Sequence, residues 1–150
     1  MNENLLKGSI GIIARMGSQR LLNKHLIQVD AKPIISYLIQ RLYNEFKSEL
    51  NRNDLKLYIL TGSFKLNGPL LEIAQQMNVS IFFGDDSNIP KRMLEFLENE
   101  EKDFLISVDG DDILCAPEGI RSIYQLLSNG SSFCKTINYP FGMNSSGYSK

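Results

Sequence analysis

The chain has 150 residues, with 16 Lys and Arg against 17 Asp and Glu, one histidine and two cysteines; that is one domain's length, enough to bury a single substantial core. A net charge of -1 excludes the broad basic face of a general nucleic-acid binder, while Cys115 and Cys134 lack the spacing of a disulfide scaffold or a Cys/His metal site. The apolar run near the N-terminus is too short and too polar-flanked for a signal peptide or membrane span, so a soluble, cytoplasmic chain is expected.

In chain order, SIGIIA (9–14) is a short β-branched run, the pattern of a strand covered on both faces. After Pro33, the residues Ile34, Leu38, Leu42 and Phe46 recur every four positions and predict a helix. LKLYILT (55–61) reads as a second strand. PLLEIAQQM (69–77) reads as a helix with proline in its first turn and Leu70, Ala74 and Met77 on one face.

VSIFF (79–83) is a third strand, ended by the turn residues GDDSN, where Asp85 and Asp86 are expected to cap the next helix. That helix spans 90–100, with Met93, Leu94 and Leu97 inward, the acidic run from Glu98 to Glu101 outward, and Arg92 expected to pair with Asp85 or Asp86, contact with a phosphate being the alternative. FLISV (104–108) is a fourth strand, and PEGIRSIYQLL (117–127) a helix facing in with Ile120, Ile123, Tyr124 and Leu127. SFCKTIN (132–138) is a candidate fifth strand, and the polar, turn-rich tail carries no obvious closing element. Alternating strands and helices predict an α/β fold, a three-layer sandwich around a mostly parallel sheet.

Ligands of open parallel sheets bind beyond the carboxyl ends of the strands, which singles out the loops after the first and fourth strands. The first, ARMGSQRLLNK, lies in a stretch that has no acidic residue between Glu3 and Asp30 but contains Lys7, Arg15, Arg20 and Lys24. Gly17 admits a close backbone approach, Ser18 offers a hydroxyl, and Arg15 and Lys24 offer charge-assisted bonds to phosphate oxygens. It is not a Walker A loop, and the spacing also suits a tight turn with solvated cations. The second, DGDDILCAPE, sets Asp109, Asp111 and Asp112 around Gly110. Such carboxylates suit Mg²⁺ bound together with substrate phosphates, and Asp109-Gly110-Asp111 has the D-x-D form; an acidic turn that binds nothing is the alternative. His25 reads as a packing or loop residue, and Cys115 as a small buried one.

These motifs resemble the cytidylyltransferase family that includes the acylneuraminate and 3-deoxy-manno-octulosonate cytidylyltransferases, above all its spore-coat polysaccharide biosynthesis branch. The opening pattern A-R-x-G-S-x-R-L-x-x-K is matched by Ala14, Arg15, Gly17, Ser18, Arg20, Leu21 and Lys24, and a following K-P by Lys32 and Pro33. Gly84, Ile89 and Arg92 fit a later G-x-x-x-x-(V/I)-x-x-R. Gly110, Asp111, Leu114, Pro117 and Glu118 fit the metal-bearing loop, and Pro140, Gly142 and Met143 a P-x-G turn. The chain departs at Phe83, where many relatives have Arg, and at Ile113, where others have Pro.

The resemblance implies a nucleotide-diphospho-sugar transferase-like fold and transfer of CMP from CTP to an acidic or modified sugar, with release of pyrophosphate, in surface polysaccharide biosynthesis. It implies Arg15 and Lys24 as catalytic residues on the triphosphate, Ala14, Gly17, Ser18 and Asp109 in the nucleotide site, and Asp111 as the Mg²⁺ ligand. Because the family's domain continues further, residues 1–150 are expected to be the N-terminal, nucleotide-binding part of a longer domain that dimerises through a later element. Two other classes fit the residues: a GT-A-like glycosyltransferase using the same D-x-D, and a nucleotide-binding module without catalysis.

Overall fold

The computed structural model describes residues 6–18 and 20–150. Its first strand, β1 (Gly8–Ile13), is followed by a 3-10 turn at Lys24–Leu26 and a two-residue hairpin, β2 (Gln28–Val29) and β3 (Lys32–Pro33). Then come α1 (Ile34–Glu45), α2 (Lys47–Asn51), β4 (Leu55–Thr61), α3 (Phe64–Asn67), α4 (Pro69–Gln76), β5 (Ser80–Phe83) and α5 (Ile89–Asn99). The chain closes with β6 (Phe104–Asp109), α6 (Pro117–Ser128), β7 (Phe133–Lys135) and β8 (Ser146–Ser149).

The main sheet has six strands in the order β5-β4-β1-β6-β8-β7. β5, β4, β1 and β6 run parallel, with Ile12 paired to Ile59 on one side and Val108 on the other. β1 is therefore the strand at which the winding reverses: the chain first builds outward through β4 and β5, then crosses back to add β6. Loops leaving the adjacent strands β1 and β6 lie side by side at this reversal, and the crevice at such a point is where these sheets bind ligands.

Helices cover both faces, as the period of their apolar residues requires. On one face Ile35, Leu38 and Leu42 of α1, Leu70 and Ala74 of α4, and Ile120, Ile123 and Leu127 of α6 pack on Ile10, Ile12, Ile59, Ile106 and Val108. On the other, α5 packs Phe96 and Leu97 against Tyr58, Leu60 and Leu105. Arg121 fastens α6 to the first layer, pairing with Glu45 (2.6 Å) and Glu49 (2.9 Å) while lying 4.7 Å over the Phe46 ring. No helix among the described residues is long and apolar enough to cross a membrane.

Four local expectations are corrected. Met93 and Leu97 of α5 face inward as expected, joined by Arg92 and Phe96, whereas Leu94 is 54% exposed. The cap of α5 is Asn88, whose side chain accepts from Lys91 N (2.9 Å), while Asp85 accepts from the Ser87 and Asn88 amides of the preceding turn. Asp86 instead accepts the Ser63 amide (2.7 Å). Most consequentially, the tail does close the sheet: β8 inserts antiparallel between β6 and β7, pairing Tyr148 with Leu105 and with Phe133.

Candidate active site

The two loops chosen from the sequence meet. Ile13, last in β1, lies in register between Leu60 and Asp109, the Gly110 amide donates to Ile13 O (2.8 Å) and the Ala14 amide to Leu60 O (3.1 Å). A Cβ at Gly110 would stand 2.9 Å from Ile13 O and 3.0 Å from the His25 ring, so glycine is what lets the acidic loop lie directly on the end of β1. Beyond these strand ends opens a cleft of ≈ 1020 Å³.

The cationic loop continues the alternation of β1 for a few residues. Ala14 and Met16 point into the core at 2% and 7% exposure, so Arg15 and Gly17 face outward. The Met16 amide is held by the buried Asn67 Oδ1 (2.9 Å), and Asn67 Nδ2 donates to Ser63 O (3.0 Å). A Cβ on Gly17 would meet nothing within 4 Å, so no packing excludes a side chain from this space. The Ser18 amide turns back to Met16 O (2.9 Å), and its hydroxyl accepts weakly from Leu21 N (3.4 Å). Asn23 then adopts a left-handed conformation (φ 53°), which asparagine tolerates, and reverses the chain into the turn carrying Lys24 and His25.

Lys24 reaches across the crevice and forms an ion pair with Asp111. Burial pushes the Asp111 carboxyl up, but the hydrogen bond and charge of Lys24 outweigh it and hold the pKa below the ordinary aspartate value. Asp109 and Asp112 go the other way: burial, then the charge of neighbouring carboxylates, raises both. Three crowded carboxylates with one lysine among them leave negative charge that a cation would relieve. Among the described residues no three His, Cys, Asp or Glu side chains are arranged to hold a metal by themselves. One or two carboxylates plus substrate phosphates are what Mg²⁺ takes, and this donor set fits it in that way. His25 is 2% exposed, and burial followed by the Lys24 charge lowers its pKa; it packs beneath the acidic loop, as expected of it.

Of the remaining walls, the sequence marked the P-x-G turn and Arg92 as family motifs but did not place them at this cleft, and it gave no sign of residues 144–146 or Arg41. Pro140–Met143 is a turn closed by Met143 N to Pro140 O (3.1 Å), with Gly142 at φ 80° as its third position requires. The Ala116 amide donates to Met143 O (3.3 Å), and a Cβ on Gly142 would come within 3.4 Å of Asp112 Oδ1, so this turn stands against the acidic loop. Asn144, Ser145 and Ser146 lead from it into β8 and line the cleft beside Ser107. Arg41 of α1 donates to Ile113 O and ties the acidic loop down from behind. Arg92, expected to pair with Asp85 or Asp86, donates to their backbone carbonyls and lines the cleft.

A doubly wound, mostly parallel sheet with one antiparallel strand next to its edge, and cationic and acidic loops meeting at its switch point, is the nucleotide-diphospho-sugar transferase-like fold of the nucleotidyltransferases. A cytidylyltransferase of Leptospira borgpetersenii superposes with a TM-score of 0.81 at 25% identity, over 96% of this chain and 60% of that one. The spore coat polysaccharide biosynthesis protein SpsF of Bacillus subtilis is 25% identical over 88% of this chain and 55% of its own length. The 3-deoxy-manno-octulosonate cytidylyltransferase of Chloroherpeton thalassium is 28% identical over 90% of this chain and 52% of its own. The family model described as cytidylyltransferase matches residues 10–149, and the chain belongs to that family. It spans about half the length of the curated relatives it matches.

Proposed function

We propose that the cleft binds CTP with Mg²⁺ and serves transfer of CMP to a hydroxyl of an acidic or modified sugar, in surface polysaccharide biosynthesis. The observation that carries this reading is the Lys24–Asp111 ion pair, which sets a loop cation against a carboxylate across the switch point; the reading gives the first to phosphate and the second to the metal. The names of the relatives, a 3-deoxy-manno-octulosonate cytidylyltransferase and a spore coat polysaccharide biosynthesis protein, support the choice of nucleotide and sugar class.

In this reading Arg15 and Lys24 take the triphosphate, Gly17 leaves its oxygens room, Ala14 and Ser18 line the nucleotide, and Asp111, helped by Asp109, holds the Mg²⁺. The sugar oxygen bonds to the α-phosphorus, the bridge to the β-phosphate breaks, pyrophosphate leaves, and the hydroxyl proton passes to solvent. Charge grows on the departing pyrophosphate, and positioned cations stabilise it most where water is excluded. Bound Mg²⁺ would neutralise phosphate charge and orient the chain of phosphates. Arg15 and Lys24 supply the fixed positive charge from the chain itself. Because the chain spans about half of its relatives' length, the sugar half of the reaction is proposed for a protein of family length.

Pyrophosphate release from CTP, measured with a panel of sugar acids and with ATP, GTP and UTP as controls, tests the reading. Release that needs both CTP and one class of sugar acid supports it. Equal release from every nucleotide, or release from CTP with no sugar added, contradicts it.

A further inference from the structure

Arg92 lies on the same face of α5 as the core residues Phe96 and Leu97 and is 1% exposed. Burying a guanidinium is costly unless it is paired and fully hydrogen-bonded. Its Nε donates to Asp85 O (2.8 Å) and its Nη2 to Asp86 O (3.2 Å), but Nη1 finds no partner among the described residues. The acids nearby are engaged elsewhere. Asp85 accepts two backbone amides and pairs with Lys91 (2.9 Å), Glu95 accepts the Asp85 amide (3.3 Å), and Asp86 accepts the Ser63 amide (2.7 Å).

The position of this guanidinium is over-determined. Asp86 bonds Ser63, Ser63 bonds Asn67, and Asn67 bonds Met16 in the cationic loop, so Arg92 and Arg15 are braced by one network. Both line the cleft. Burial lowers the Arg92 pKa and Asp86 raises it, with the Arg15 charge adding to the lowering. Two guanidiniums lining one cleft, one with an unspent N–H, match an anion with oxygens to share between them.

We infer that Arg92 is a substrate-contacting residue whose Nη1, together with Arg15, receives an oxyanion: a nucleotide phosphate or the acidic group of the acceptor sugar. The inference rests on the transferase reading of the cleft.

Guanidinium ¹⁵N NMR of the chain, with Arg92 assigned through Arg92→Lys, tests it without disturbing the fold. The probes are inorganic pyrophosphate, CTP and 3-deoxy-manno-octulosonate, added separately. A shift of the Arg92 Nη signals with slowed exchange is expected for at least one of them: pyrophosphate and CTP if the oxyanion is a phosphate, the sugar acid if it belongs to the acceptor. Arg92→Lys keeps the charge and loses the fork, and should weaken that same probe at least tenfold. Arg15 signals that move with CTP while Arg92 stays silent to all three probes would overturn the inference and leave the transferase reading standing. Silence of both arginines to every probe would overturn both.

Discussion

Lys24 and Asp111 neutralise each other in the free chain, so on the proposed reading a nucleotide phosphate would have to compete with a carboxylate for the lysine. Lys24→Ala should weaken CTP binding by about 1.5–3 kcal/mol, the worth of a charge-assisted hydrogen bond, with little change in unfolding temperature because the side chain holds no core together. In the same variant Asp111 loses the partner that holds it low, and burial then raises its pKa, a reversal that carboxyl NMR titration would read directly. Unchanged affinity would leave the cationic loop an ordinary turn. Glu49 offers a pH prediction away from the site. The Arg121 hydrogen bond, acting against burial, lowers its pKa in the folded chain. A depressed carboxylate stabilises the fold above its unfolded pKa, and that contribution disappears as pH falls through the folded value. Glu49→Gln should therefore cost about 1–2 kcal/mol at neutral pH and nothing in strong acid, so its denaturation curves should converge with those of the parent below the usual glutamate range. Parallel curves at every pH would refute the assignment.

At the scale of elements, apolar periodicity made the layers legible. Ile34, Leu38, Leu42 and Phe46 could face only one way, and β-branched runs such as SIGIIA had to be covered on both sides. The hydrophobic residues of α5 fit more than one face; packing against Tyr58, Leu60 and Leu105 selected the face that turns Leu94 out and buries Arg92. The site's two main loops were legible because charge and glycine mark them. Asn67 and Arg41 were not, because both act through backbone atoms distant in sequence. β8 was illegible for a similar reason: Ser-Gly-Tyr-Ser has no strand signature, and pairing with β6 and β7 supplies what local preference does not. Gly147 is the position that lets it dock. A Cβ there would come within 2.4 Å of Ile123 Cγ2 and 2.6 Å of Leu127 Cδ1. Gly147→Val should destabilise the fold by about 1–3 kcal/mol through overpacking, measured by urea denaturation. An unchanged midpoint would mean that the tail does not pack on α6.

Across the whole molecule, the order of strands creates the crevice and the loops give it opposite charges on its two sides. The cations sit after β1, the carboxylates after β6, and the turn at Pro140–Met143 with the start of β8 forms the far wall. This architecture accounts for why the residues that carry the family resemblance, separated by almost ninety positions in the case of Lys24 and Asp111, act at one place. It also predicts thermodynamic coupling. If Asp111 holds Mg²⁺ against phosphates bound by Arg15 and Lys24, nucleotide and metal must tighten each other by the same factor. The direct measurement is calorimetric titration of the chain and of Asp111→Asn with CTP, in Mg²⁺ and in chelator, the variant controlling for the complex that CTP and Mg²⁺ form in solution. The expected result is tighter CTP binding in Mg²⁺ for the parent chain, with most of that gain lost in Asp111→Asn and weak metal-free binding retained by both. CTP affinity that is the same in Mg²⁺ and in chelator, or a gain that survives Asp111→Asn intact, would contradict the assignment of the cleft as a metal-assisted nucleotide site.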